Sequence, residues 1–369
     1  MGPAGGLIRV AALTSGKNVP SARFRIRQHI HHLRRYGIQV ADHCPPVSQG
    51  ARLPGRFGNI RERYLPPLVA AKAAINFAGR IPGVLGSWQA DLTWLERNFV
   101  PGLDDLAGVL RRPLVLDVDD AIWRYNPFGV GVIRRLVRRA DMVLAGNAFI
   151  ADWCYNCCRK VTIIPTAIDC ARFVPRANAK SPDAPFVVGW TGTSGNFIFL
   201  ESIAPVLARF LRDNPNVRLL VVADRRPRLD SLPRDQVVFQ RWSAETEHVA
   251  LHEMDVGIMP LDDSDLSRGK CSFKMLQYLA VGLPVIASPY GMNREVLDLT
   301  PGGMGPVTLD EWYDCLQAAR DQAAARTSRS DVWRDVALRH FSSEKISLKI
   351  AGVFRSVLAG GPQRNPEGG

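Results

Sequence analysis

The sequence predicts an α/β protein made of two doubly wound domains in tandem. Eleven short apolar segments alternate with helix-spaced stretches, the signature of a parallel sheet covered by helices. The alternation breaks once, over CARFVPRANAKSPDAP (170–185), which is rich in Pro, Ala, Lys and Asn and reads as a linker. At 369 residues the chain is also too long for one simple core.

The elements follow in order. RVAALTS (9–15) is a first strand, followed by a helix near 21–36 with Ser21 as N-cap and Gly37 as its stop. IQVADHC, DLTWLE, PLVLDVDD, MVLAG and VTIIPTA complete a first domain over 1–169. After the linker come PFVVGWTG, a helix over 199–213, VRLLVVAD, VVFQRW, a helix near 245–252, DVGIMPL, an amphipathic helix and PVIAS. These form a second domain over 186–340. A last amphipathic helix, within 341–359, is expected to pack back on the first domain, and 360–369 to be a disordered tail. In such folds ligands bind beyond the carboxyl ends of the strands, here expected in a central cleft between the domains.

Composition narrows the function. No apolar run reaches eighteen residues, and MGPAGGLIRVAALTSG lacks the features of a secretion signal, so a cytoplasmic protein is expected. Seven cysteines give no disulfide framework. CYNCC, with Cys154, Cys157 and Cys158, has no second CxxC or His pair nearby and reads as ordinary thiols, so no metal site is expected. The net charge is +12, and residues 1–80 hold 13 Lys or Arg against Asp42 and Glu62. No zinc finger, RNP sequence or KH loop accompanies this charge, so nucleic acid is not the expected partner. Residues 56–88 alternate basic with aromatic and aliphatic side chains. They suit either contact with an anionic membrane, within 21–88, or a solvated face over a core helix.

SRGKCSFKMLQYLAVGLPVIAS (267–288) carries the sharpest signal. Phe273, Leu276, Leu279 and Ala280 mark an amphipathic helix, with Gly282 as its cap. Arg268, Lys270 and Lys274 surround its start, although a helix N-terminus is already positive. A bound diphosphate removes that conflict; a solvated basic turn is the alternative. Lys270 and Lys274 are the candidate diphosphate-binding cations, with Arg268, Cys271, Ser272 and Phe273 as further candidate ligand-binding residues around them. GWTGTSGN (189–196) adds Gly192, Thr193 and Ser194, as an anion loop or a plain strand-to-helix turn. In the first domain Asp117, Asp119 and Asp120 end a strand. Such carboxylates can bind sugar hydroxyls, act as a base or hold a metal, and one of them can serve as a helix cap. Asp119 and Asp120 are the candidates, with Arg23, Arg25 and Arg97 beside them.

Taken together, SGKNVPSARFR, DVDDAIW, VTIIPTAID, VGWTGT, DVGIMPL and SRGKCSFKMLQYLAVGLPVIASPYGMNREVL resemble the bacterial family 4 (group 1) retaining glycosyltransferases of GT-B fold. The likeness extends over nearly all of 7–358 and is most specific in 254–297. It implies two Rossmann-like domains, a nucleotide-diphosphate sugar on the second and the acceptor mainly on the first. It further implies hexosyl-type transfer with retention and no required metal or other cofactor. The family's two Glu positions fall on Gly269 and Gln277; Gln277 can still hydrogen-bond a ribose diol but carries no charge. The family's Arg after the first strand of the second domain is replaced by GWTGTS, and its glycine-rich first loop by SGKNVPSARFR. These departures match a subgroup of cell-surface polysaccharide enzymes, and the basic, aromatic-studded first domain favours a lipid-linked or anionic glycan acceptor. The competing expectations are a GT-B partner subunit without turnover, a nucleotide-sugar epimerase, and a nucleic-acid-binding protein.

Overall fold

A computed structural model describes residues 6–360 except 18, 47, 49–65, 101–102, 125–129, 159, 179, 182 and 324–325. Much of the expected 56–88 patch and nearly all of the expected 360–369 tail therefore lie outside the described residues. The chain divides into two compact units, residues 1–166 with 343–369, and residues 167–342.

In the first unit, β1 (Ile8–Leu13), β2 (Ile38–His43), β3 (Leu92–Glu96), β4 (Leu114–Val118), β5 (Met142–Ala145) and β6 (Val161–Ile163) form one sheet in the order β2-β1-β3-β4-β5-β6. Every pairing is parallel. In the second unit, β7 (Phe186–Gly192), β8 (Val217–Ala223), β9 (Val237–Arg241), β10 (Val256–Met259) and β11 (Val285–Ala287) are ordered β11-β10-β7-β8-β9 and are likewise parallel. Strands buried on both faces, such as β3, β4, β5, β10 and β11, read as continuous apolar runs, whereas the edge strands β2, β6 and β9 are partly exposed. The strand order reverses at β1/β3 in one sheet and at β7/β10 in the other. Loops that leave a sheet at such a point run to opposite sides, and a crevice opens beyond β7 and β10.

Three helices depart from expectation. Ser21 does not cap: its backbone is already helical (φ −59°, ψ −43°), and its hydroxyl donates to Glu96. The chain instead makes a wide turn over Ala22–Ile26, then a tight one over Arg27–His29, before the short helix Ile30–Arg35. Ala22, Phe24, Arg25 and Ile26 are all buried, more than one face of a regular helix would turn inward. The helix expected over 199–213 splits at Ile203 into Phe197–Ser202 and Ala204–Asp213, because Pro205 in the first turn of the second piece has no N–H to continue the ladder. The amphipathic helix begins only at Phe273, after Ser272 in the left-handed region (φ 49°). Arg268 instead ends a separate four-residue helix, Asp265–Arg268, capped by Ser264. Gly282 closes the longer helix at φ +73°, a conformation that suits glycine.

The expected linker is part of the second unit. Arg176 and Lys180 pair with buried Asp255, and Arg334 donates to the carbonyls of Cys170 and Phe173. The last helix, Ser343–Leu358, belongs to the first unit. Phe354 meets Trp94 edge-on at 5.1 Å, and Ser347 Oγ lies 2.8 Å from His29 Nδ1.

Burial pushes the His29 pKa down to about 3, with Arg25 and His32 adding to the effect. The unfolded chain therefore takes up a proton below about pH 6.5 that the folded chain refuses until about pH 3. Stability from this residue is full above pH 6.5 and falls on acidification through that window. His29→Gln should flatten that limb in urea midpoints measured from pH 7 to 4.

Candidate functional site

The crevice beyond β7 and β10 is lined by Trp190, Asn196, Phe199, Met259, Pro260 and Leu261, and both Lys270 and Lys274 open onto it. Lys274 rises from the first turn of the Phe273–Ala280 helix and holds its ammonium 5.7 Å from the Trp190 ring. Lys270 lies just before that helix, 5.5 Å from the Phe199 ring and 3.1 Å from Asn196 Oδ1. Two ammoniums thus converge on one wall although the segment between them is not helical. The helix carries no acid in its first turn and no side-chain cap, so its partial positive end adds to the same field.

The glycine of the β7 turn makes this approach possible. A Cβ on Gly192 would sit 2.5 Å from the Trp190 ring and 2.8 Å from Lys274 Cε. Gly192→Ala should therefore push the Lys274 stem aside. We expect it to weaken nucleotide-diphosphate binding at least tenfold by titration calorimetry and to lower the melting temperature, because the buried Trp190 ring must also give way. On the same strand, Thr191 N donates to the buried Tyr278 hydroxyl at 3.1 Å. Burial raises that phenol's pKa to about 12, so it stays neutral and ties the helix to the strand.

Other expected residues take different roles. Ser194 was expected to offer its N–H and hydroxyl outward, but both donate to Asp224 at the end of β8. Burial would raise the Asp224 pKa; the Ser194 hydrogen bonds outweigh it and hold the carboxylate below its ordinary range. The anion loop is thus filled by the chain's own carboxylate. Thr193 is exposed, and its hydroxyl accepts from Asn196. Arg268 does not line the lysine crevice; its guanidinium binds Asp263 through two hydrogen bonds of 2.8 and 3.0 Å. Cys271, Ser272 and Gln277 are buried, and Ser272 donates to Asn293. Phe273 is half-buried at the helix start. Trp190, Asn196, Phe199 and Asp224 were missed. Only Asp224, a carboxylate at a strand end, carried a readable signal.

In the first unit, polar groups gather beyond β1, β3 and β4. Glu96 is fully buried and accepts from Ser15 N and Ser21 Oγ. Arg97 has a left-handed backbone (φ 58°), rare for a side chain of its size, and turns its guanidinium onto Asp119 at 2.5 Å, with Asp120 at 3.7 Å. Burial opposes the Arg97 charge, but Asp119 and Asp120 outweigh it and raise its pKa. Asp119 and Asp120 are part-exposed and can accept a hydroxyl. Arg25 is a correction to the expected acceptor-side set. It is 2% exposed and bonded to Asp117 at 2.7 Å and to Ile164 O, so it holds the loop rather than facing a ligand. Arg23 is half-buried, with its guanidinium over the Phe24 ring.

Among the described residues no group of three or more His, Cys, Asp or Glu is placed to hold a metal ion. Cys154 is buried, and burial raises its thiol pKa to about 12.

Solved structures share this architecture. Sucrose-phosphate synthase from Thermosynechococcus elongatus superposes with a TM-score of 0.70 at 14% identity, covering 96% of this chain and all of that one. HepE from Anabaena, described in complex with UDP and glucose, gives 0.65 at 16% identity over 95% of this chain and all of its own. The fold is GT-B. S. aureus MnaA, described as a co-structure with UDP, gives a TM-score of 0.59 at 12% identity over 98% of this chain and all of that one. Residues 186–316 match the family model described as glycosyl transferases group 1, the stretch that holds Lys270, Lys274 and the β7 turn of this GT-B chain. No curated protein matches.

Proposed function

We propose that this protein is a retaining, family 4 type glycosyltransferase. It moves a hexosyl group from a nucleotide-diphosphate sugar to a glycan or lipid-linked acceptor in cell-surface polysaccharide synthesis. It works at the cytoplasmic face of the membrane and requires no metal or other cofactor. The observation that carries this reading is the convergence of Lys270 and Lys274 on the β7/β10 crevice, inside the segment matched by the group 1 model.

The donor's diphosphate binds the second unit, against the two ammoniums and the start of the Phe273–Ala280 helix. As the sugar bond breaks, positive charge grows on the sugar and negative charge on the leaving diphosphate. Lys270 and Lys274 stabilise the latter, and the departing phosphate takes the acceptor's proton on the same face. Gln277 lies on the same helix, toward the ribose. In the first unit, Asp119 and Asp120 orient sugar hydroxyls, held in register by Arg97. Arg268 and Ser194 enter only after exchanging their Asp263 and Asp224 partners.

Melting curves with a panel of nucleoside diphosphates test the donor site. A ligand at a hundred times its dissociation constant adds about 2.7 kcal/mol of stability. One base should give a clear shift that Lys274→Ala weakens; no shift with any of them rejects the reading. The second reading, a partner subunit that binds but does not turn over, is favoured by Gly269 and Gln277 at the family's two Glu positions. A shift with no donor hydrolysis or transfer would select it.

A further inference from the structure

The helix Pro66–Trp88 is amphipathic the wrong way round. Among its described residues the fully buried side chains are polar, Asn76 at 6% exposure, Arg80 at 1% and Ser87 at 0%, with Phe77 and Val84 half-buried beside them. Arg80 explains the inner face, since its guanidinium donates to the carbonyls of Thr14, Asn98 and Phe99 and so pins the loops beyond β1 and β3. The outer face is apolar. Ala74, Ala78, Ile81, Leu85 and Trp88 are all exposed and follow at intervals of four, three, four and three, one continuous stripe, with Leu85 and Trp88 each 61% exposed. A helix on a water-facing surface normally shows the reverse pattern.

The stripe continues into neighbouring elements. Trp88 Nε1 donates to Val109 O at 3.0 Å, which joins the stripe to the Asp104–Val109 turn, where Leu106 and Val109 are also exposed. Arg135 grips Asp105 of that turn, and the Arg139 guanidinium lies against Gly108. Both arginines belong to the helix Val130–Arg139. It exposes Arg134, Arg135, Arg138 and Arg139 and contains no acid. An apolar ridge thus lies beside a row of cations.

We propose that this surface docks on an anionic lipid bilayer, with Ile81, Leu85 and Trp88 entering the headgroup boundary and Arg134 and Arg138 meeting lipid phosphates. The charge row selects this occupant. A second copy related by a two-fold axis would bring the same cations to one interface, where like charges repel. The patch expected within 21–88 is thereby narrowed to 74–88 and extended to 104–109 and 134–139. Docking stands apart from the transfer reaction, so a chain without turnover would still bind.

Co-sedimentation of the full chain with vesicles is the test, comparing phosphatidylglycerol/phosphatidylcholine with phosphatidylcholine alone. Binding is expected to the anionic vesicles only, weakening with added salt. Arg134→Gln with Arg138→Gln should lower it about thirtyfold, from roughly 1 kcal/mol per charge. Leu85→Ser with Trp88→Ser should reduce it at least as much, with the melting temperature kept near wild type as the check on folding. Equal binding to both vesicle types overturns the proposal. So does a dimer in analytical ultracentrifugation that Leu85→Ser with Trp88→Ser dissociates.

Discussion

Replacing Lys270 by alanine is expected to slow sugar transfer about a hundredfold, close to 3 kcal/mol of transition-state stabilisation. The charge it answers is largest as the diphosphate leaves, so the loss should fall mainly on kcat. Lys274→Ala should behave similarly but also loosen ground-state binding, because its stem packs between Gly192 and Trp190 while Lys270 rests on Asn196 and Phe199. The double variant should lose less than the product of the two, since both ammoniums serve one anion. Single-turnover rates with saturating donor separate these effects. A Lys270→Ala enzyme within threefold of wild type would move the leaving-group role elsewhere.

Breaking the Arg25–Asp117 pair is expected to give the largest loss of stability. Both side chains are almost wholly buried, at 2% and 1% exposure, and Trp94 Nε1 shares Asp117 at 3.2 Å. Removing one partner of a buried pair leaves an uncompensated charge and costs about 3–5 kcal/mol. Arg25→Ala should therefore lower the urea midpoint sharply. Burial pushes the Asp117 pKa up to about 6 despite the pull of Arg25. A raised acid binds its proton more tightly in the folded chain, so Asp117 favours folding less as pH rises from about 4 to about 6. His29 acts in the opposite sense over the same window. Arg25→Met is the informative companion: it fills the space without the charge, and Asp117 should then titrate higher still. An Arg25→Ala midpoint equal to wild type would show that the pair contributes nothing to folding.

Much of the fold was legible because the strands lie in parallel sheets covered on both faces. Continuous apolar runs such as PLVLDV and VRLLVVA admit little else at that length, and Gly37 and Gly282 closed helices where glycine was read to close them. Irregular helices were not legible. The wide turn at Ala22–Ile26 follows from four inward residues, which only the packing of β1 and β3 reveals.

The site divides the same way. The sequence by itself determined that Lys270 and Lys274 flank a helix start after a strand, because composition and local spacing state that much. Only the tertiary structure decided which charges face the crevice. Arg268 and Ser194 looked equivalent to the lysines in one dimension, yet Asp263 and Asp224 claim them. Asp224 approaches Ser194 because β7 and β8 are neighbours, and Arg25 meets Asp117 across ninety-two positions of chain. Which partner each side chain meets is set by the sheet order, which no local pattern encodes.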